Sequence, residues 1–150
     1  MITKTSERAV RLLLFIGRQK ETKPLAVQEV AQGIGAAQAY TAKIVGGLVQ
    51  AGVLRSQRGA GGGVGLARPP AEISLLDVVL ACQHMDTQTY CRPPAVEGCD
   101  VCAFHAAMRE LHESIHGVLK RWTLADLLEQ PVGRIGEGIH EGCLMMPAAG

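Results

Sequence analysis

The chain has 150 residues, enough for one domain with a real core or for a small domain plus an appendage. Apolar residues make up 47% and aromatics only 3%, which predicts a mainly α protein with a slim aliphatic core. The net charge of +1 hides an asymmetry: residues 1–68 hold ten Lys/Arg against three Asp/Glu (net +7), and residues 69–150 hold five against eleven (net −6). A basic half joined to an acidic half points to an anionic partner for the first half, the alternative being a solvated basic face. The opening MITKTSERAV has no apolar signal region, and no stretch approaches a membrane span, so a cytoplasmic protein is expected. Disulfides are rare there, and the five cysteines read as metal-binding or redox-active.

The first segment, from about Thr5 to Arg18, spaces Ala9, Val10, Leu13, Leu14 and Gly17 by three and four, with Arg8, Arg11 and Arg18 between them. This is an amphipathic helix with a basic face. Residues Glu21 to Pro24 make a turn. Two short helical patterns follow. Val27, Val30 and Ala31 mark the first, which ends near Gly33-Ile34-Gly35. Tyr40, Ile44, Val45, Leu48 and Val49 mark the second, with Gly52 where a C-cap glycine belongs. The pair predicts a helix-turn-helix, an ordinary helical hairpin being the alternative.

Residues Val53 to Arg58 then read as a short strand, Gly59 to Gly63 as a turn, and Val64 to Ala67 as the return strand, stopped by Pro69-Pro70. A glycine-tipped hairpin directly after a helix-turn-helix is the wing of a winged helix. Glycines let its tip lie against a sugar–phosphate backbone without side-chain clash, and Arg55, Arg58 and Arg68 flank it. Nucleotide binding of the P-loop type is disfavoured for this loop: there is no G-x-x-x-x-G-K-[ST], and prolines stand where a helix N-terminus would be.

Ser74 opens the next helix, with Asp77 three residues on as a capping-box variant. Leu75, Leu76, Val78, Val79 and Leu80 pack it to about Gln83, and Cys82 reads as a small core hydrophobe. The longest helical pattern, from about Ala103 to Trp122, carries Met108, Leu111, Ile115, Val118, Leu119 and Trp122. That stripe is too apolar for a lone helix and predicts a dimerisation helix, intramolecular core being the alternative. Thr123 and Asp126 cap a last short helix, Leu124 to Leu128. The predicted organisation is a winged helix-turn-helix domain over 1–70, a cysteine loop and dimerisation helix over 71–130, and a flexible tail over 131–150 that includes Cys143.

Between the last two long helices stand Cys91, Cys99, Cys102 and His105, with Pro93, Pro94 and Gly98 among them. Three thiols and an imidazole within fifteen residues can close around one metal centre, and thiolate favours zinc, copper(I) or iron–sulfur clusters. Ligand types alone leave a structural Cys/Cys/Cys/His zinc site and an iron–sulfur cluster equally open. His105, one helical turn from Cys102, can reach the same metal. His112 and His116, four apart, can also bind metal, solvated surface histidines being the commoner reading. A dithiol redox enzyme built on Cys99-Asp100-Val101-Cys102 is disfavoured, because no βαβ setting surrounds it.

The order of these parts resembles the iron–sulfur winged-helix regulators of the IscR/NsrR family of bacterial repressors, over roughly residues 1–130. Arg58-Gly59-Ala60-Gly61-Gly62-Gly63 is close to that family's R-G-P-G-G-G wing, with Ala60 replacing the usual proline. Cys102-Ala103-Phe104-His105 is similar to its C-x-x-H, and Thr123-Leu124-Ala125-Asp126-Leu127 to its T-L-x-x-L. The cysteine spacing departs from the family: seven residues separate Cys91 from Cys99, and two separate Cys99 from Cys102.

The resemblance implies a homodimeric transcription repressor rather than an enzyme. It favours an iron–sulfur cluster, 2Fe-2S or 4Fe-4S, on Cys91, Cys99 and Cys102, with Glu7 or His105 as fourth ligand, Glu7 reaching from the partner subunit. The cluster would sense redox state, nitric oxide or iron–sulfur status. The alternative is a winged-helix regulator using zinc or direct thiol oxidation. The recognition helix, roughly Ala37 to Gln50, would enter the major groove of a palindromic double-stranded operator. Gln38, Tyr40, Thr41 and Lys43 are then best placed for bases or phosphates. Arg8, Arg11, Arg55 and Arg58 would hold the backbone, with Gly61 and Gly62 at the wing tip.

Overall fold

Helix α1 (Lys4–Gly17) begins where the Thr3 hydroxyl accepts the Ser6 N–H at 3.3 Å. This cap satisfies a donor that the first helical turn leaves without a partner. The computed structural model describes residues 3–19, 23–59, 61–82 and 103–129. The buried residues of α1 are Ser6, Ala9, Leu12, Leu13, Leu14 and Ile16, so apolar side chains leave it in several directions and it is covered from more than one side.

Helices α2 (Val27–Gly33) and α3 (Gln38–Gln50) form the helix-turn-helix. α2 closes with Gly35 at φ +63°, the Ala36 N–H reaching the Ala31 carbonyl at 2.9 Å and the Gly35 N–H the Gln32 carbonyl at 3.1 Å. α3 closes the same way: Gly52 has φ +68°, its N–H meets Val49, and the Val53 N–H meets Leu48 at 2.9 Å. Both ends are Schellman caps, which need a residue at ease with positive φ. Gly33 is forced by packing instead, since a Cβ there would run into the Phe15 ring.

Strands β1 (Leu54–Gln57) and β2 (Gly63–Leu66) pair antiparallel, Leu54 opposite Leu66 and Gln57 opposite Gly63. A further pairing, with no sequence signature of its own, joins them. Leu25 pairs with Val64 as an isolated bridge, each donating its N–H to the other's carbonyl at 2.9 and 2.8 Å. The hairpin is thereby tied to the segment that enters α2.

After a 3-10 turn (Pro70–Glu72), helices α4 (Leu75–Cys82), α5 (Ala103–Arg121) and α6 (Leu124–Glu129) follow. Both expected capping boxes are present. Asp77 accepts the Ser74 N–H at 3.0 Å and donates its own N–H to the Ser74 hydroxyl at 3.1 Å. Asp126 accepts both the Thr123 N–H and hydroxyl at 2.7 Å. The two caps meet, for Ser74 and Thr123 form a bridge, with Leu75 donating to Trp122 and Leu124 to Ile73.

One core joins these elements, running from Leu12, Leu13 and Leu14 through Ile44, Leu48, Val53 and Val64 to Ile73, Val78 and Leu124. α4 lies close on α3, where a Cβ on Gly47 would come 2.9 Å from the Ala81 carbonyl. α5 is different. Leu119 alone among its residues is buried, while Phe104, Leu111 and Val118 are 59%, 52% and 46% exposed. Among the described residues, no helix is long and apolar enough to cross a membrane.

Candidate nucleic-acid interface and metal ligands

The two faces of α3 separate cleanly. Thr41, Ile44, Val45 and Leu48 are buried, and Gln38, Ala39, Ala42, Lys43, Gly46 and Gln50 are exposed. The exposed row is therefore made of small residues edged by two amides and one ammonium, a profile that allows close approach to a base-pair edge. Gln50 and Gly46 belong to this face in addition to the residues expected from the sequence. Their spacing of three and seven residues from Lys43 was the available signal.

Thr41 corrects the sequence expectation. It is fully buried, and its hydroxyl donates to the Ala37 carbonyl at 3.0 Å. It lies on the core stripe with Ile44, Val45 and Leu48, so it positions α3 from behind and does not face a groove. Arg68 is likewise committed elsewhere. Its guanidinium donates to the carbonyls of Gly52 and Glu72 at 3.2 Å each and stands 3.6 Å from the Asp77 carboxylate. It ties the base of the hairpin to α4.

Tyr40 is held between α1 and α3. Its hydroxyl is 2.8 Å from the Thr5 hydroxyl, and the Arg8 guanidinium lies 5.1 Å from its ring centroid. This is cation–π distance. Two residues expected at the DNA surface thus touch each other and lock the first turns of α1 onto the start of α3. Tyr40 is half-buried and Arg8 is exposed, so each keeps an open side.

On the hairpin, Arg55 and Arg58 are exposed and form no ion pair among the described residues. Arg55 stands opposite Gly65, where the absence of a side chain leaves its guanidinium room. Gly59 and Gly61 have φ of +104° and +80°, conformations that favour glycine. Gly62 is needed for space, because a Cβ there would collide with the Gln57 carbonyl. Arg11 is half-buried on α1, and Lys43 is exposed. Arg8, Lys43, Arg55 and Arg58 thus present four cationic heads on α1, α3 and the hairpin.

The metal-ligand candidates divide. Cys91, Cys99 and Cys102 lie outside the described residues, as does the tail with Cys143. The described chain fixes where the cysteine segment attaches: it leaves α4 after Cys82 and returns at Ala103, the first residue of α5. Cys102 therefore immediately precedes α5, and His105 is the third residue of that helix, half-buried. Glu7, also half-buried, sits in the first turn of α1 between Thr5 and Arg8, the two residues that grip Tyr40. Among the described residues, no three His, Cys, Asp or Glu side chains are grouped to hold a metal. The donor set in the sequence, three thiols with an imidazole or a carboxylate, fits a thiophilic centre. Cys82 behaves as expected of a core thiol: it is half-buried, and burial pushes its pKa up, away from the reactive thiolate.

His112 and His116 depart from the solvated reading. Their rings are in contact, with centroids 4.1 Å apart, and the His116 Nε2 is buried without a hydrogen-bond partner among the described residues.

A helix-turn-helix with a bridged hairpin, an exposed helix face and cationic heads around it defines a winged-helix DNA-binding regulator. The chain belongs to the Rrf2 family, described as iron-dependent transcriptional regulators, whose model matches residues 2–130. It is not an enzyme. It is 33% identical over 131 residues to the HTH-type transcriptional regulator NsrR of Geobacillus kaustophilus, covering 85% of this chain and 89% of that one. Protein aau3 of Rhizobium meliloti is 32% identical over 131 residues, covering 85% and 84%. The solved structure of T. potens IscR shares the fold, with a TM-score of 0.69 at 23% identity, covering 85% of each chain.

Proposed function

We propose that this transcription regulator is a homodimeric repressor of a palindromic operator, governed by an iron–sulfur cluster on Cys91, Cys99 and Cys102 with Glu7 or His105 as fourth ligand. The observation that carries the reading is the place of Glu7. It lies between the two residues of α1 that hold Tyr40 at the start of the recognition helix. A cluster bound there supplies a centre that oxidants, nitric oxide or iron shortage can alter. The chain's own residues do the rest. Where the Glu7 carboxylate is held sets the first turns of α1, and Thr5 and Arg8 pass that setting through Tyr40 to α3. A switch of this kind needs a differential affinity of about 1–3 kcal/mol.

Homodimer formation is supported by α5. Phe104, Met108, Leu111, Ile115, Val118 and Trp122 are spaced alternately by four and three, the a/d pattern of a coiled-coil seam. Three of the six are exposed in the single chain, an apolar row that a second copy can cover. Two α3 helices brought together in this way read two half-sites of one operator.

The test is operator affinity measured anaerobically on reduced protein and again after oxidation or nitric oxide treatment. Wild type is expected to change affinity between these states, and Cys99→Ala to lose the difference. A Cys99→Ala protein that switches like wild type would contradict the cluster mechanism.

A further inference from the structure

On α5, His112 and His116 stand one helical turn apart, an arrangement that puts two side chains on the same strip of helix surface. Their rings lie 4.1 Å apart at 42° to each other, so the two imidazoles are already neighbours without any change of backbone. The His116 Nε2 is buried and meets no hydrogen-bond partner among the described residues. A buried nitrogen left so keeps its full desolvation penalty, which most buried polar atoms avoid. The carboxylate nearest in sequence does not relieve it, for Glu113 is exposed and points its oxygen to Arg109 at 3.9 Å. Both histidines are half-buried, so the pair lies at the edge of the covered face.

We propose that His112 and His116 form a second metal site, separate from the cysteine loop, which takes a divalent transition ion that prefers imidazole, such as zinc(II) or nickel(II), by chelation across one turn of α5. Neutral imidazole is a good ligand for zinc, copper, iron and nickel. The ion supplies the missing partner of the His116 nitrogen. Burial and the neighbouring His112 both hold the His116 imidazole below its ordinary pKa. His105 lies seven residues before His112, about 10 Å along the helix at ~1.5 Å per residue, so it belongs to another centre. The remaining coordination positions fall to water. A chelate here staples one turn of the helix that carries the Phe104, Leu111 and Val118 row.

The experiment uses the full chain, kept anaerobic and reduced, with the imidazole nitrogen resonances of His105, His112 and His116 followed during zinc(II) titration. Residue resolution separates this site from the cysteine segment. The His112 and His116 resonances are expected to shift together and saturably. In His116→Gln, with helix content checked by circular dichroism, the His112 response is expected to disappear. His112→Gln provides the reciprocal control on His116. Resonances of both histidines that stay put in excess zinc would overturn the proposal. So would a His112 response undiminished in His116→Gln, which would mean a lone imidazole and no chelate.

Discussion

The Arg8 guanidinium lies 5.1 Å from the centroid of the Tyr40 ring, and the same tyrosine shares a 2.8 Å hydrogen bond with Thr5. One residue of the recognition helix is thus held from both sides by the first helix. Tyr40→Phe removes the hydroxyl interaction alone. The expected decrease in stability is about 0.5–1.5 kcal/mol, and operator affinity should fall by up to about tenfold because α3 is less well fixed. Urea unfolding and operator titration measure the two separately. Arg8→Ala should cost about 0.5–1 kcal/mol by removing the cation–π interaction.

Two glycines of the helix-turn-helix should respond in opposite senses to alanine. Gly33 faces the Phe15 ring, and a Cβ there collides. Gly33→Ala is expected to destabilise by about 1–3 kcal/mol, the usual range for overpacking. Gly46 is exposed within α3 with open space around its Cβ position. Gly46→Ala is expected to stabilise by up to about 1 kcal/mol, as alanine is the better helix former. It should nonetheless weaken operator binding, because it adds bulk to the exposed face of α3 that we propose meets DNA. Chemical denaturation paired with operator titration checks both.

Much of this fold is legible in the sequence because its signals are local. The ends of α3, the two capping boxes and the glycine-tipped hairpin each depend on residues within a few positions of one another, and all appear where the sequence places them. The features that sequence does not foretell depend on distant partners. The Leu25–Val64 bridge is a single residue pair, too short to leave a period-two pattern. The place of Arg68 beside the hairpin suggests a phosphate ligand, but its guanidinium also reaches the Gly52 carbonyl at the end of α3 and the Asp77 carboxylate of α4. Thr41 is the exception, misassigned to the DNA face despite a local signal: it precedes Ile44, Val45 and Leu48 by three, four and seven, which is the core stripe. The cysteine loop, legible by composition, lies outside the described residues.

The Asp126 carboxylate accepts two hydrogen bonds from Thr123, which hold its pKa below the ordinary carboxylate value. A group whose folded-state pKa is lowered adds stability above its unfolded pKa and loses it as pH falls through the folded one. Asp126→Ala is therefore expected to lower the Tm at neutral pH, and the gap to wild type should close as pH drops below the usual carboxylate range. Thermal unfolding at a series of pH values tests the sign. A gap that widens in acid would contradict the cap.

The exposed arginines of the hairpin are expected to act through phosphates. Arg58→Ala should weaken binding to operator and unrelated DNA alike. It should also reduce the slope of log affinity against log salt by about 0.9 for each phosphate that the arginine neutralises in wild type. Lys43→Ala, on the face of α3, should in addition change which operator bases are preferred. Salt titrations on a specific and a scrambled duplex distinguish the two.

Leu111 is 52% exposed in the middle of the apolar row on α5. Leu111→Lys should leave each chain folded, since the side chain supports little of the core, while shifting sedimentation from dimer towards monomer. Operator affinity should fall with it, because two half-sites are then no longer read together.

The measurement that bears most directly on the central claim is an anaerobic absorbance spectrum of freshly purified protein with iron and sulfide analysis. A visible absorbance band with iron and sulfide in matching amounts, absent in Cys99→Ala, is the predicted result. A colourless protein that holds one zinc per chain and gains no colour on reconstitution would contradict the cluster, and would leave a winged-helix regulator working by zinc or thiol chemistry.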